Sequence, residues 1–256
     1  MDKRAVFNHY SHMLDTMLET NLFWNYYFQD PFCLDEDSVE NLCFDFDWAL
    51  HCGATRVCLE DKAYDTVVKI DLANFNACEA EVGTYDVACE LGLEKYFTEP
   101  IFLGTYVKTI KFYDMEPIER ALNYEVDYDR FENDFMENEE YFGELHDIVI
   151  SLPLYAYPRA TVHNYNPIYN KLSESQISEY EAAAKRHYSP LKERNLAIAI
   201  EFVKQYGEEE YERLSDFLAA ENVNDLHANN FGDIEGHFVI IDFAGYHNDY
   251  EEEEEE

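Results

Sequence analysis

Two stretches near the end of the chain decide the fold: Asn224-Asp225-Leu226-His227-Ala228-Asn229-Asn230-Phe231-Gly232 and Phe238-Val239-Ile240-Ile241-Asp242-Phe243-Ala244-Gly245. Asn230 follows Asp225 by five residues, and an apolar run leads directly into Asp242. Functional side chains concentrate where a loop follows a rigid strand, and hard divalent cations prefer oxygen ligands. Taken singly, Asp225 would be a helix-end turn residue and Asp242 a strand terminator. Their joint spacing favours a cation site instead.

The composition supports a folded, strongly acidic protein. Apolar residues make up 47% of the 256 residues, which allows a sizeable core and excludes wholesale disorder. The 55 Asp and Glu outnumber the 18 Lys and Arg, so the formal net charge is −37. Because phosphate contacts need Lys and Arg, we expect no direct nucleic-acid binding and no anionic membrane partner. The charge favours basic proteins, cationic small molecules, or a nucleic-acid-binding protein whose groove accepts an acidic surface.

The sequence also predicts a cytoplasmic protein. No run reaches the roughly 18 apolar residues that a membrane span needs, and the first residues lack the apolar stretch of a signal peptide. The six cysteines lie within the first 89 residues and form no Cys-x-x-Cys pair. They are therefore expected to be reduced thiols rather than a disulfide framework or a zinc site.

The distribution of residue types along the chain predicts an α+β organisation in four parts. Residues 1–44 form an N-terminal helical extension, and residues 45–117 are rich in strand-forming runs. Residues 118–249 are predicted to be helical and to end in the loop quoted above. The acidic residues 250–256 repel one another and are predicted to be disordered. Strands early and helices late indicate two lobes.

Local signals predict several elements. Asn74 to Leu91 is expected to be a helix that buries the face of Val82, Tyr85, Ala88 and Leu91 and stops at Gly92. Two strands are expected around Phe102–Lys108 and Thr109–Tyr113, after which Pro117 ends the sheet.

Three helices are expected in the second half of the chain. Ser173 with Gln176 forms a capping box, Ser189-Pro190 opens a helix that Gly207 closes, and a third helix follows to about Glu221. The acidic stretch between Asp114 and Asp147 is predicted to be a surface helix with a solvated acidic side or, alternatively, an acidic docking surface for a cationic partner.

The spacing of Asp225, Asn230 and Asp242 resembles that of the protein-kinase-like phosphotransferases, whose catalytic loop and D-F-G triplet carry these residues. The Asp-Leu-His form is most similar to short phage-encoded serine/threonine kinases and to aminoglycoside phosphotransferases. Two departures are clear: Ala244 takes the glycine place of D-F-G, and Val223-Asn224 takes the place of His-Arg. The resemblance implies a two-lobed protein-kinase-like fold with a reduced helical C-lobe.

The first half of the chain carries residues that such a site would need. Lys69, flanked by Val68 and Ile70, resembles the strand lysine that braces the α- and β-phosphates of ATP. The alternative is an edge-strand lysine that points to water. A carboxylate on the following helix is expected to hold the lysine; Glu81 is favoured by helical spacing, with Glu79 and Glu90 left open.

The remaining nucleotide contacts rest on the resemblance. Gly53 is the single glycine where a glycine-rich loop would cover phosphates, and Val57 would pack on the adenine ring. Met115 lies at the connection, Asp114–Pro117, where the adenine edge would meet backbone.

The resemblance implies transfer of the ATP γ-phosphoryl group to a hydroxyl. Asp225 would orient the acceptor and take its proton, while Asn230 and Asp242 would hold Mg²⁺. His227 would lie near the γ-phosphate.

The acceptor is expected to be a basic host protein or, alternatively, a cationic small molecule such as an aminoglycoside, and the compartment the host cytoplasm if the chain is phage-encoded. A second hypothesis is an acidic pseudokinase or DNA-mimic-like inhibitor that blocks a nucleic-acid-binding protein. The single glycine, the missing His-Arg and the charge favour it.

Overall fold

The computed structural model describes residues 1–20, 47–52, 55–71, 76–112, 146–162, 173–186 and 188–244. Helices and antiparallel strands are both abundant, so the α+β prediction is confirmed. The chain divides into two compact units: Met1–Phe75 with Phe102–Ala156, and Asn76–Ile101 with Tyr157–Glu256. Within the described ranges, no helix has the length and apolar character of a membrane span.

The first unit is a helix with a five-stranded sheet in the order β1-β2-β3-β5-β4. Its elements are α1 Lys3–Thr20, β1 Trp48–Cys52, β2 Arg56–Asp61, β3 Thr66–Asp71, β4 Ile101–Phe112 and β5 His146–Pro158. The pairs β1/β2 and β2/β3 are antiparallel, with Leu59 opposite Leu50 on one side and Val68 on the other. The strand-forming runs predicted from residue 45 onward therefore form three strands.

The first unit has its core on one face of this sheet. Val57, Leu59, Val68 and Ile70 alternate along β2 and β3 and are completely buried, since residues two apart point to the same face of a strand. Helix α1 contributes an apolar stripe at helical spacing that consists of Tyr10, Met13, Leu14 and Met17.

Polar contacts fix helix α1 to the strands. The Tyr10 hydroxyl donates to the Thr66 carbonyl on β3 at 2.7 Å. The Asp15 carboxylate accepts from Tyr106 and Lys108 on β4, each at 2.8 Å. The helix predicted at the N-terminus is therefore an integral part of the sheet unit rather than an appendage.

The strands after residue 100 differ from the prediction. One continuous strand, β4, replaces the two expected around 102–108 and 109–113. The sheet also does not end at Pro117, because β5 lies within the segment that was predicted to be helical. Strand β5 alternates between residues 150 and 156: Ile150, Leu152, Leu154 and Ala156 are buried and the residues between them are not. That period of two was the available signal.

The second unit is mainly helical. Its elements are α2 Ala77–Leu91, β6 Thr161–Val162, α3 Glu174–Arg186, α4 Pro190–Arg194, α5 Leu196–Tyr206, α6 Glu208–Ala220, β7 Phe231–Ile234 and β8 His237–Ile240. The three strands form an antiparallel sheet in chain order. Aromatic rings at the centre of the core, including Tyr96, Phe97, Phe202 and Phe243, pack mostly edge to face.

Helix α2 confirms its prediction, with one shift. Gly92 ends the helix in the left-handed region at φ 68°, and its N–H bonds back to the last turn. The buried face consists of Cys78, Glu81, Thr84 and Ala88. It lies one residue away from the expected face of Val82 and Tyr85, which are only partly buried. Glu81 is thus at the centre of the inward face.

The helix caps are confirmed in part. The Gln176 N–H donates to Ser173 Oγ at 3.3 Å, and the Ser173 N–H donates to Gln176 Oε1 at 3.1 Å, which is a capping box. Ser189 opens the next helix as predicted, but that helix breaks at Asn195 into α4 and α5. Asn195 then caps α5 by accepting from the Ile198 N–H.

Glu210 at the start of α6 joins three donors from different parts of the second unit. Its carboxylate lies 2.8 Å from Lys95 Nζ, 2.8 Å from the Tyr96 hydroxyl and 2.6 Å from an Arg213 nitrogen. Arg213 also donates to the Leu91 carbonyl at the end of α2. The cluster therefore connects α6 to α2 and to the 3₁₀ turn that follows it.

Glu210→Gln is expected to reduce stability at neutral pH and to lose this effect in acid. Lys95 above all, with Tyr96 and Arg213, lowers the pKa of the Glu210 carboxyl to about 2 from its ordinary 4.5. A lowered pKa stabilises the fold fully above pH 4.5, and the contribution is lost as the pH falls toward 2. After allowance for solvent screening, this contribution to the free energy of unfolding should amount to about 1–2 kcal/mol at neutral pH. Urea unfolding at pH 7 and pH 3 measures it.

The control for this prediction is Glu209→Gln, which removes an exposed charge from the same helical turn. The free-energy gap between wild type and Glu210→Gln should narrow between pH 7 and pH 3, while the gap for Glu209→Gln stays small. A gap for Glu210→Gln that does not change with pH would contradict the assignment.

Several predictions fall outside the described residues. These are the acidic stretch as far as residue 145, the Asp114–Pro117 connection with Met115, the loop glycine Gly53, and the tail 250–256.

Candidate functional site

The loop that follows α6 presents Asp225. The Val223 N–H bonds to the Leu218 carbonyl, which closes the helix end, and Leu226 is completely buried. Because Leu226 holds the loop in the core, its neighbour Asp225 is positioned at the surface with its side chain 36% exposed. The backbone of Asp225 is therefore held in place, while its carboxylate is accessible to solvent.

Asn230 is the buried centre of the loop and is only 6% exposed. Its Nδ2 donates to the Asp225 carbonyl at 2.6 Å, and its N–H donates to the His227 carbonyl at 3.0 Å. A carbonyl can only accept, so the side-chain atom next to it is the nitrogen. The remaining polar atom, Oδ1, is the kind of oxygen ligand that Mg²⁺ prefers.

The hairpin of β7 and β8 brings Ile241, the residue before Asp242, to Asn230. Phe231 pairs with Ile240, and the Ile241 N–H donates to the Asn230 carbonyl at 3.0 Å, so the ladder continues to the residue before Asp242. The two-residue turn, Glu235-Gly236, has φ values of 53° and 82°, typical of the type I′ turn that suits tight hairpins. The backbone that carries Asp242 is therefore anchored on Asn230, although the two residues are twelve positions apart in sequence.

His227 lies at the mouth of the loop. Its Nδ1 accepts from the Asn229 N–H at 3.2 Å, so in the neutral ring the proton is on Nε2. Nε2 lies 3.9 Å from Asp225 Oδ1, and the side chain is 56% exposed. His227 can therefore present an N–H beside the Asp225 carboxylate.

Glu81 joins helix α2 to the residue after Asp242. It is completely buried, and its Oε1 accepts from the Phe243 N–H at 2.9 Å. Of the three glutamates considered for this helix, Glu79 and Glu90 are exposed. The helix therefore directs one carboxylate inward, and that carboxylate holds the backbone next to Asp242.

Removal of the Glu81 carboxylate is expected to lower stability. Glu81→Ala would leave the buried Phe243 N–H without its acceptor, which costs about 1–3 kcal/mol. Glu81→Gln keeps a neutral acceptor and should lose less. Thermal unfolding of the two variants checks the order.

Glu79→Ala is the matched control, because Glu79 is exposed on the same helix. If Glu79→Ala and Glu81→Ala lower the melting temperature equally, the hydrogen bond between Phe243 and Glu81 makes no specific contribution to stability.

Lys69 and Val57 belong to the first unit. Lys69 on β3 is 8% exposed, and its partner across the strands is Cys58. Val57 pairs with Ile70, so it lies on the opposite face of the sheet from Lys69 and is completely buried in the core. Cys58 is the β2 residue that shares the face of Lys69. Val57 and Lys69 therefore cannot contact one nucleotide from the same face of the sheet.

The donor chemistry of the loop and hairpin suits a hard cation that retains other ligands. In the described ranges, no group of three or more His, Cys, Asp and Glu side chains forms a metal cluster. One amide oxygen and one carboxylate, from Asn230 and Asp242, are nevertheless enough for Mg²⁺, which keeps several waters or takes substrate phosphates.

Sequence reasoning missed two contacts that support the site. The Thr98 N–H donates to the Ile240 carbonyl, and Phe97 forms a parallel bridge with Ile240. These contacts join the segment after α2 to strand β8 across about 140 positions. The cluster around Glu210 joins the same segment to α6, across 114 positions. No local pattern signals such pairings, since each partner taken alone has the sequence context of an ordinary surface or strand residue.

The chain matches no protein-family model and no curated protein.

Proposed function

We propose that the chain is an ATP-dependent phosphotransferase, of the kind of a compact protein serine/threonine kinase with a two-lobed protein-kinase-like fold. One observation carries the proposal: Asp225, Asn230 and Asp242 are joined through one hydrogen-bonded loop and hairpin. Asn230 donates to the Asp225 carbonyl and accepts from the Ile241 N–H beside Asp242. This hydrogen-bonded backbone connects the loop of Asp225 and Asn230 to the residue before Asp242, which supports the resemblance in spacing to a kinase catalytic loop.

The order of the elements supports the same conclusion. In protein kinases the phosphate-bracing lysine is on the third strand and its glutamate is on the following helix. Here Lys69 lies on β3, and Glu81 faces inward on the helix that follows. Glu81 also contacts the backbone next to Asp242, which links helix α2 to the proposed metal-binding turn.

The chemistry is an in-line displacement at the γ-phosphorus of ATP. The acceptor hydroxyl oxygen forms a bond to phosphorus, the bond to the β,γ-bridging oxygen breaks, and ADP leaves. The hydroxyl proton passes to the Asp225 carboxylate, which is accessible at the loop surface. His227 can donate from Nε2 to a phosphoryl oxygen, since its Nδ1 is occupied as an acceptor.

Mg²⁺ would be held by Asn230 Oδ1 and the Asp242 carboxylate, with Lys69 assigned to the α- and β-phosphates. The ion supplies positive charge that neutralises the phosphates of ATP during transfer. Asn230 orients its oxygen by anchoring its amide nitrogen on Asp225, and Glu81 fixes the backbone next to Asp242.

The acceptor is proposed to be a basic protein in the cytoplasm. A net charge of −37 attracts cationic partners and repels nucleic acid and anionic membranes. Cys89 is a free thiol, which suits a reducing compartment.

The test combines nucleotide binding with phosphate transfer. Mg²⁺-ATP should raise the melting temperature by several degrees, because a ligand that binds only the folded state stabilises it by mass action. Lys69→Met should lose most of this shift. Lys62→Met is the control, since Lys62 is an exposed lysine of the same sheet unit paired with Asp47.

Transfer of radiolabelled phosphate to a basic protein mixture then separates the two candidate functions. A shift with transfer supports the kinase. A shift without transfer, together with tight binding to a nucleic-acid-binding protein, would favour the acidic pseudokinase or DNA-mimic-like inhibitor, which the net charge supports. No shift and no transfer would overturn the proposal.

A further inference from the structure

A cleft of about 500 Å³ lies beside the catalytic loop, wholly within the second unit. Its walls include Tyr188, Glu193, Asn222 and Asn224, and its floor includes the buried Leu218 and Val223. The volume is in the range of small-ligand sites, and the mixture of an apolar floor with a few polar groups is typical of them. None of these residues takes part in the chemistry described above.

The cleft lies within reach of a side chain near the acceptor hydroxyl in the substrate. Asn224 lines the cleft and immediately precedes Asp225, so their Cα atoms are about 3.8 Å apart. An extended peptide advances about 3.3 Å per residue. A side chain two to four residues from an acceptor serine at Asp225 would therefore reach the cleft.

The groups that line the cleft favour a cation. Tyr188 is 70% exposed and offers a ring face, a surface that attracts guanidinium and ammonium groups. Glu193 offers a carboxylate, and the amide oxygens of Asn222 and Asn224 can accept further hydrogen bonds. Helix α6 also ends at this cleft with no basic residue in its last turn, so its negative end is not neutralised from within the helix.

Local charge leaves the cleft acidic. Lys192 Nζ lies 3.4 Å from the Glu193 carboxylate and offsets part of its charge. Glu221, at the end of α6, directly precedes the lining residue Asn222 in the chain, and Asp225 directly follows the lining residue Asn224, so each brings a further acidic group near the cleft. A cationic side chain would thus meet more negative than positive charge.

We infer that this cleft binds an arginine or lysine side chain of the acceptor protein, two to four residues from the phosphorylated hydroxyl. The inference rests on the proposed function and names its substrate class: serine or threonine in a basic segment. Glu193 would pair with the cationic group, and Tyr188 would cover it.

The experiment measures peptide binding without ATP, by fluorescence anisotropy. Two serine peptides are compared, one with arginines two and four residues from the serine and one with glutamines in their place. Glu193→Gln should weaken binding of the arginine peptide about tenfold, the loss of affinity expected for one charge-assisted hydrogen bond. Tyr188→Ala should weaken it about threefold. Neither variant should change the weak binding of the glutamine peptide.

Glu179→Gln is the matched control, because it removes an exposed carboxylate on α3 away from the cleft and should have no effect. Equal binding of the two peptides, or equal losses in Glu193→Gln and Glu179→Gln, would overturn the inference. Tighter binding of the aminoglycoside neomycin than of the arginine peptide, lost in Glu193→Gln, would overturn the peptide as the occupant.

The same preparations separate this inference from the proposed function. If wild type transfers phosphate equally to both peptides, the cleft assignment is wrong and the kinase stands. If Glu193 selects the arginine peptide but wild type transfers no phosphate, the kinase assignment is wrong and the cleft stands as a cation site.

Discussion

Asp225→Ala is expected to lower phosphate transfer by about 10²- to 10⁴-fold, the usual contribution of a positioned general base. Nucleotide binding should change little, because Asp225 acts on the acceptor hydroxyl. The loop should persist, since the bond from Asn230 goes to the Asp225 backbone carbonyl and not to the side chain. Initial rates with saturating Mg²⁺-ATP, together with the thermal shift by Mg²⁺-ATP, measure the two effects separately.

Asp216→Ala is the control for this variant, because Asp216 is an exposed aspartate on α6. It should retain the wild-type rate. Wild-type activity in Asp225→Ala would remove this residue from the mechanism, while loss of both transfer and nucleotide binding would point to a structural role.

Asp242→Asn is expected to weaken Mg²⁺-dependent nucleotide binding by more than the roughly 10- to 100-fold that loss of an outer-shell metal partner costs. The substitution removes a charged ligand and keeps the shape of the side chain, so the hairpin and the bond from Phe243 to Glu81 should remain. Isothermal titration of ATP with Mg²⁺ and with EDTA resolves the metal-dependent part.

Adenosine serves as the comparison ligand, because it carries no phosphate for the metal. Its affinity should be the same in wild type and Asp242→Asn. If ATP with Mg²⁺ binds both proteins equally, the cation is held by other residues.

Short-range rules explain the parts of the fold that the sequence predicted well. Gly92 stops α2 because the left-handed conformation suits glycine, and Ser173 with Gln176 starts α3 because each side chain caps a free backbone group. Helical spacing also predicted Glu81 as the inward glutamate. Each of these signals spans fewer than ten residues.

The remaining differences depend on contacts that local patterns do not carry. Strand β5 pairs between β3 and β4, and its alternating core residues begin directly after an acidic stretch that dominated the prediction. The opposite faces of Val57 and Lys69 follow from the register of β2 against β3, which a single residue of slip would reverse. Spacing in sequence could not fix that register.

The hydrogen bond from Ile241, the residue before Asp242, to Asn230 sets a parity rule for the length of the hairpin between Asn230 and Asp242. Each added ladder step lengthens both strands by one residue, so an unchanged two-residue turn permits growth only in pairs. One extra residue would turn the side chain of Asp242 to the other face of the strand. Natural variants that keep this pair should therefore separate the asparagine and the aspartate by ten, twelve or fourteen positions, and a chain with an odd separation should carry a bulge or a different turn.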